Sequence, residues 1–143
     1  MGKSINNLRP ILLIEDDTAD TITVKRSFAD LRIKNSLVCV NSGKQALEYL
    51  QNKKNKKPCV ILLDLIMPEM NGIEFLRIVK SDDLLKTIPV IALTISQQQQ
   101  DKIESFELGV AGYIIKPSDY ESFVKAIETI NIYWNYSELP NLK

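Results

Sequence analysis

Four uninterrupted apolar runs constrain what this chain can fold into: Ile11 to Ile14, Val60 to Leu63, Val90 to Leu93 and Tyr113 to Ile115. A weaker run, Leu37 to Val40, makes a fifth. The runs are continuous, as in strands covered on both faces of a parallel sheet; a half-exposed strand alternates. Between them lie stretches of helical period, marked by Ile22, Phe28 and Leu31, then Ala46, Leu47 and Leu50, then Ile73, Leu76 and Val79. Ile103, Phe106 and Glu107 mark a fourth stretch, and Phe123, Ile127, Ile130 and Trp134 a fifth. Five repeats of strand then helix predict an α/β domain with a doubly wound parallel sheet, and right-handed crossovers place helices on both faces.

Helix starts carry their own signals. Ser42 with Gln45, Ser96 with Gln99 and Ser118 with Glu121 read as capping boxes; Asn71 with Glu74 imitates one, and Asp17 caps the first helix. Gly109 is placed to end the fourth helix. The 143 residues make one domain, 1–143, with a polar N-terminal arm over 1–9 and a C-terminal tail over 135–143.

Composition excludes several chemistries. The chain has no histidine, which removes Ser-His-Asp and Cys-His catalysis and His-ligated zinc. Eighteen basic and eighteen acidic residues balance, so a globally basic nucleic-acid binder is not expected. The five glycines form no GxGxxG loop for a dinucleotide or flavin. Cys39 and Cys59 sit inside apolar stretches and read as buried free thiols. With no signal region and no span-length apolar run, a cytoplasmic protein off the membrane is expected. The cluster Lys53, Lys54, Lys56 and Lys57 precedes the third strand and reads as a solvated loop at the edge away from any ligand crevice.

The residues that follow the strands are the chemical signal. The first strand ends in Glu15, Asp16 and Asp17, the third in Asp64, the fourth in Thr94 and the fifth in Lys116-Pro117. In a parallel doubly wound sheet these ends share one edge, where ligands bind. Converging carboxylates stay ionised only beside a compensating cation, and an all-oxygen set with open positions suits Mg²⁺. Adding an ammonium and a hydroxyl makes a site for a phosphoryl group, with a carboxylate able to accept it as aspartyl phosphate.

ILLIEDD (11–17), VILLDLIMPEMNG (60–72), IALT (91–94) and GYIIKP (112–117) resemble the receiver domains of bacterial two-component response regulators. The resemblance covers roughly Arg9 to Trp134. NIYWNYSELP (131–140) and LLKTIPVIALT (84–94) further resemble the small stand-alone regulators that partner phytochrome-type histidine kinases. The resemblance implies a flavodoxin-like strand order 2-1-3-4-5. It makes Asp64 the phosphoacceptor, Asp16 a direct Mg²⁺ ligand, Glu15 a ligand through water and the Ile66 carbonyl a further ligand. Thr94 becomes the switch hydroxyl, Lys116 the phosphoryl-contacting lysine and Tyr113 the switch aromatic. It also implies a cis Lys116-Pro117 bond, a sensor histidine kinase as phosphodonor and a downstream protein target.

Ile95 departs from the small residue the family places after the switch threonine and is expected to narrow access to Asp64. Ile66 and Ser96, at positions that tune phosphoryl lifetime in the family, carry no carboxylate or amide to orient water, which predicts a long-lived phosphoryl group. The competing reading is a Mg²⁺-dependent phosphohydrolase with an aspartyl nucleophile; such enzymes commonly carry an acid/base Asp where this chain has Ile66. On the last helix, Phe123, Ile127, Ile130 and Trp134 form the core face. Tyr120, Val124, Tyr133, Tyr136, Leu139 and Pro140 are left over; either the tail folds back over its own domain, or the last helix and tail build a two-fold homodimer, the sharper expectation.

Overall fold

All five apolar runs become strands. A computed structural model describes residues 9–140; the rest of the arm, 1–8, and of the tail, 141–143, lie outside the described residues. In chain order the elements are β1 (Ile11–Ile14), α1 (Thr18–Asp30), β2 (Leu37–Val40), α2 (Gly43–Gln51), β3 (Val60–Leu63), α3 (Gly72–Lys80), β4 (Val90–Thr94), α4 (Gln99–Glu107), β5 (Gly112–Ile115) and α5 (Tyr120–Tyr136). A 3-10 turn over Leu85–Thr87 leads into β4. The sheet is parallel throughout, in the order β2-β1-β3-β4-β5.

Alternate residues of each strand feed two cores. Leu12, Ile14, Ile61, Leu63 and Ala92 point to the face covered by α2 and α3, where Leu50, Phe75 and Val79 pack. Leu13, Val60, Leu62 and Leu93 point to the other face, against Val24 and Phe28 of α1 and Phe123, Ile127, Ile130 and Trp134 of α5. Only β1, β3 and β4 are buried along their whole length. β2 and β5 are half-buried, contrary to the two-face reading of their runs, because each is an edge strand with one neighbour.

Periodicity did not orient every helix. Ile22, Ile103 and Phe106 face solvent; on α4 the buried residue is Ser105. Three caps form at the expected residues: Asp17 accepts from the Asp20 amide, Asn71 with Glu74 forms a reciprocal capping box, and Ser42 accepts from the Gln45 amide, although its box stays open because Gln45 Oε1 accepts from the Asn41 amide. Two do not. α4 begins after Gln98: the Ser96 hydroxyl oxygen accepts from the Gln98 amide at 3.4 Å, ahead of the helix, while its proton goes to the Asp101 carboxylate. α5 is capped by Asp119, whose carboxylate accepts from the Ser122 amide, in place of Ser118. Gly109 follows α4 at φ +89°, a left-handed conformation that glycine adopts without strain.

Arg9 is a buried anchor. Its guanidinium donates to the Lys57 and Pro58 carbonyls at 3.0 and 2.7 Å, and to the Pro140 carbonyl at 3.4 Å. Leu139 packs on the α1/α5 core. The described part of the tail therefore folds back, while Ile132, Tyr133 and Tyr136 of α5 stay exposed. Helix α5 runs two residues beyond Trp134, so the tail proper begins after Tyr136. Cys59 is buried and Cys39 half-buried, both free; burial pushes the Cys59 thiol up to about 11.

Candidate functional site

Register brings the chemistry to one edge. Ile14 pairs with Leu63, so Glu15 and Asp64 emerge level; Leu63 pairs with Ala92 and Thr94 with Ile115, so Thr94 and Lys116 stand one and two residues further along the same edge. The ladder continues one step past the strands: the Glu15 amide donates to Val40, the Asp64 amide to Ile14 and the Lys116 amide to Thr94.

Glu15, Asp64 and Thr94 are buried, and Asp16 is exposed beside them. The ammonium of Lys116 sits among carboxylates, 2.6 Å from Glu15 Oε1, 2.7 Å from Asp20 Oδ2 and 3.4 Å from Asp64 Oδ2. The second oxygens of Glu15 and Asp64 are held by backbone: Glu15 Oε2 accepts from the Asp17 amide and Asp64 Oδ1 from the Ile66 amide, each at 3.1 Å. Burial pushes the Glu15 carboxyl up to about 7, with the bond from Lys116 opposing and the Asp64 charge adding to the rise. For Lys116, burial pulls downward, but bonds to Asp20 and Glu15 and the Asp64 charge outweigh it and hold the ammonium above its ordinary pKa.

The carboxylates of Glu15, Asp16 and Asp64 offer oxygen atoms within 4.8 Å of one another. That set is hard and all-oxygen, buried on two sides and open at Asp16, which suits a divalent cation that keeps part of its water shell. Ile66 lies in the loop after β3 with its side chain 52% exposed, and Ile95 is 63% exposed beyond β4.

The Thr94 hydroxyl accepts from the Ser96 amide at 3.3 Å, and the Tyr113 hydroxyl donates to the Ser96 carbonyl at 2.9 Å. Tyr113 is half-buried, its ring against the α2/α3 core. Ser96 thus joins the two residues expected to switch. The expected cis Lys116-Pro117 bond is absent; the described residues contain no cis peptide bond. Lys116 reaches all three carboxylates from a trans bond, the form that an X–Pro bond prefers by about 0.5–1 kcal/mol.

Asp20 is not marked by strand-end position, because it lies within the first turn of α1. Its signal is its place three residues beyond the Asp17 cap, next to the sheet edge.

A doubly wound sheet that gathers these side chains at its carboxyl edge is a receiver domain, and the response regulator receiver domain family matches residues 11–128; the chain belongs to that family. It is 33% identical over 138 residues to response regulator Rcp1 of Synechocystis, covering 94% of each chain. The probable methanogenesis regulatory protein FilR2 of Methanothrix harundinacea is 34% identical over 127 residues, 87% of this chain and 82% of that one. Among solved structures, the phosphorylated cyanobacterial phytochrome response regulator RcpA superposes with a TM-score of 0.87 at 32% identity, covering 94% of this chain and 99% of that one. The Mn²⁺-bound form of Rcp1 gives 0.85 at 33% identity, covering 93% and 99%.

Proposed function

We propose that this response regulator takes a phosphoryl group onto Asp64 from a phytochrome-type sensor histidine kinase in the cytoplasm and signals by docking to a downstream protein, as a single domain without enzymatic turnover. The carrying observation is the convergence of Glu15, Asp16, Asp64 and Lys116 at one buried edge. The phytochrome link rests on the likeness to RcpA and Rcp1.

Glu15, Asp16, Asp64 and the Ile66 carbonyl would hold Mg²⁺, Glu15 through water. When bound, the ion neutralises charge on the transferring phosphoryl oxygens. Asp64 Oδ2, the oxygen not held by backbone, attacks phosphorus; the P–N bond to the kinase histidine breaks, and its electron pair returns to the imidazole, which takes up a proton. Lys116 donates to a phosphoryl oxygen. Thr94 turns its hydroxyl to another, releasing the Ser96 amide and loosening the contact between Ser96 and Tyr113, which is how a local charge event changes packing. No acid or base stands at Ile66 to turn the site into a phosphohydrolase, and no described helix is long and apolar enough to cross a membrane.

The exposed Ile132, Tyr133 and Tyr136 support a homodimer through the last turns of α5, with the folded-back tail at its margin. Phosphotransfer from a kinase phosphohistidine, read by intact-mass spectrometry, tests the main reading: wild type should gain one phosphoryl group and Asp64→Asn none. Equilibrium sedimentation tests the dimer, which a chain monomeric at tens of micromolar in both phosphorylation states would reject.

A further inference from the structure

We propose that Asp20 is a positioning residue that holds Lys116 toward α1, and thereby sets how readily the site takes up a phosphoryl group. This rests on the reading of Asp64 as phosphoacceptor.

An ammonium has three N–H donors, and Lys116 directs them at three carboxylates. Two contacts are short, 2.6 Å to Glu15 and 2.7 Å to Asp20; the third, to Asp64, is 3.4 Å. Charge-assisted bonds of full strength are about 2.7–2.9 Å long. The cation is therefore bound to the end of β1 and the first turn of α1, and only loosely to the residue that would carry the phosphoryl group.

Asp20 does not belong to the three carboxylates that converge for a cation. Its own amide is fixed by the Asp17 cap, which aims its carboxylate from the first turn of α1. Its side chain is 37% exposed, against 7% for Lys116 and 2% for Glu15, so it is the partner that water can most easily replace.

A phosphoryl group on Asp64 needs the ammonium that Asp20 holds. Asp20 competes twice, by occupying one N–H donor and by adding negative charge beside an incoming dianion. Asparagine at this position keeps the size and the place on the helix and removes the charge. Glutamate keeps the charge.

The test is titration of the full chain with beryllofluoride, a phosphoryl mimic, at saturating Mg²⁺, with Mg²⁺ alone titrated in parallel. Asp20→Asn should bind beryllofluoride about threefold more tightly than wild type, the scale of one partly screened ion pair, with no gain for Mg²⁺ alone. Asp20→Glu should stay near wild type. Unchanged or weaker beryllofluoride binding by Asp20→Asn, an equal gain for Mg²⁺ alone, or an Asp20→Glu protein that behaves like Asp20→Asn would overturn the proposal. Global damage cannot imitate the expected split, since it weakens both ligands. If wild type bound no beryllofluoride, or Asp64→Asn bound it equally, the phosphoacceptor reading would fall and take this one with it; if those controls hold, failure belongs to Asp20 alone.

Discussion

The Lys116 ammonium lies 2.6 Å from the Glu15 carboxylate, across 101 positions of sequence. Both side chains are more than nine-tenths buried, so the pair is screened little by water. Lys116→Met would leave Glu15 and Asp64 facing one another without a cation. We expect a loss of about 3 kcal/mol in chelator, the low end for breaking a buried pair because Glu15 can take up a proton. Urea denaturation with and without Mg²⁺ checks this: the ion should restore more stability to the variant than to wild type.

The raised pKa of Glu15 fixes a pH dependence. Its folded value, about 7, exceeds its ordinary 4.5, so the metal-free folded state binds the extra proton. That contribution to stability is full below about 4.5 and is lost as pH rises through about 7. Denaturation in chelator should show the decline, and Glu15→Gln should flatten it. A cation must displace the same proton, so calorimetric Mg²⁺ affinity should rise with pH up to about 7 and level off.

Gly72 opens α3 directly under the loop that carries Asp64. A Cβ there would lie 2.6 Å from the Asp64 carbonyl oxygen and 2.6 Å from Leu65 Cα, both backbone atoms that cannot swing aside. Gly72→Ala should cost about 1–3 kcal/mol, as overpacking does. It should also impair phosphotransfer more than an equally destabilising change remote from the site. Thermal denaturation paired with phosphotransfer rates separates the two effects.

The phosphoryl group should be long-lived. The Ser96 hydroxyl is committed to Asp101, and Ile66 has nothing with which to hold a water. Ile66→Gln should shorten the acyl-phosphate lifetime severalfold by mass spectrometry, and Ile95→Ala should speed labelling by small phosphodonors.

Tyr113→Phe removes only the bond to the Ser96 carbonyl. A loss of about 1 kcal/mol is expected. NMR should show the ring less restrained, and beryllofluoride should shift the signals of this ring more in wild type than in the variant.

Strands were the most legible elements, because an apolar run ending in a polar side chain leaves little choice. The runs at Ile11–Ile14, Leu37–Val40 and Val60–Leu63 match β1, β2 and β3 end to end. What could not be read was competition between neighbours. Ser96 and Ser118 each look like caps, but the Gln98 amide and the Asp101 carboxylate engage the first and Asp119 displaces the second. Helix α4 misled through Ile103 and Phe106, apolar residues that mark its outer face. The strand-end members of the site were legible because chain order maps onto the sheet edge. Asp20 was not, since its approach to Lys116 depends on how α1 lies over the edge.

The parallel register has a consequence for synthesis. Lys116 follows the last strand, and Glu15 the first. A domain of this size folds as a unit, so the site forms only once the last strand has left the ribosome. Without β5 beside β4, the carboxylates lack their fixed cation, and an incoming phosphoryl dianion meets unrelieved repulsion. A truncated or half-made chain is thus a poor acceptor, and competence to receive the signal doubles as a report that the sheet has closed its final edge.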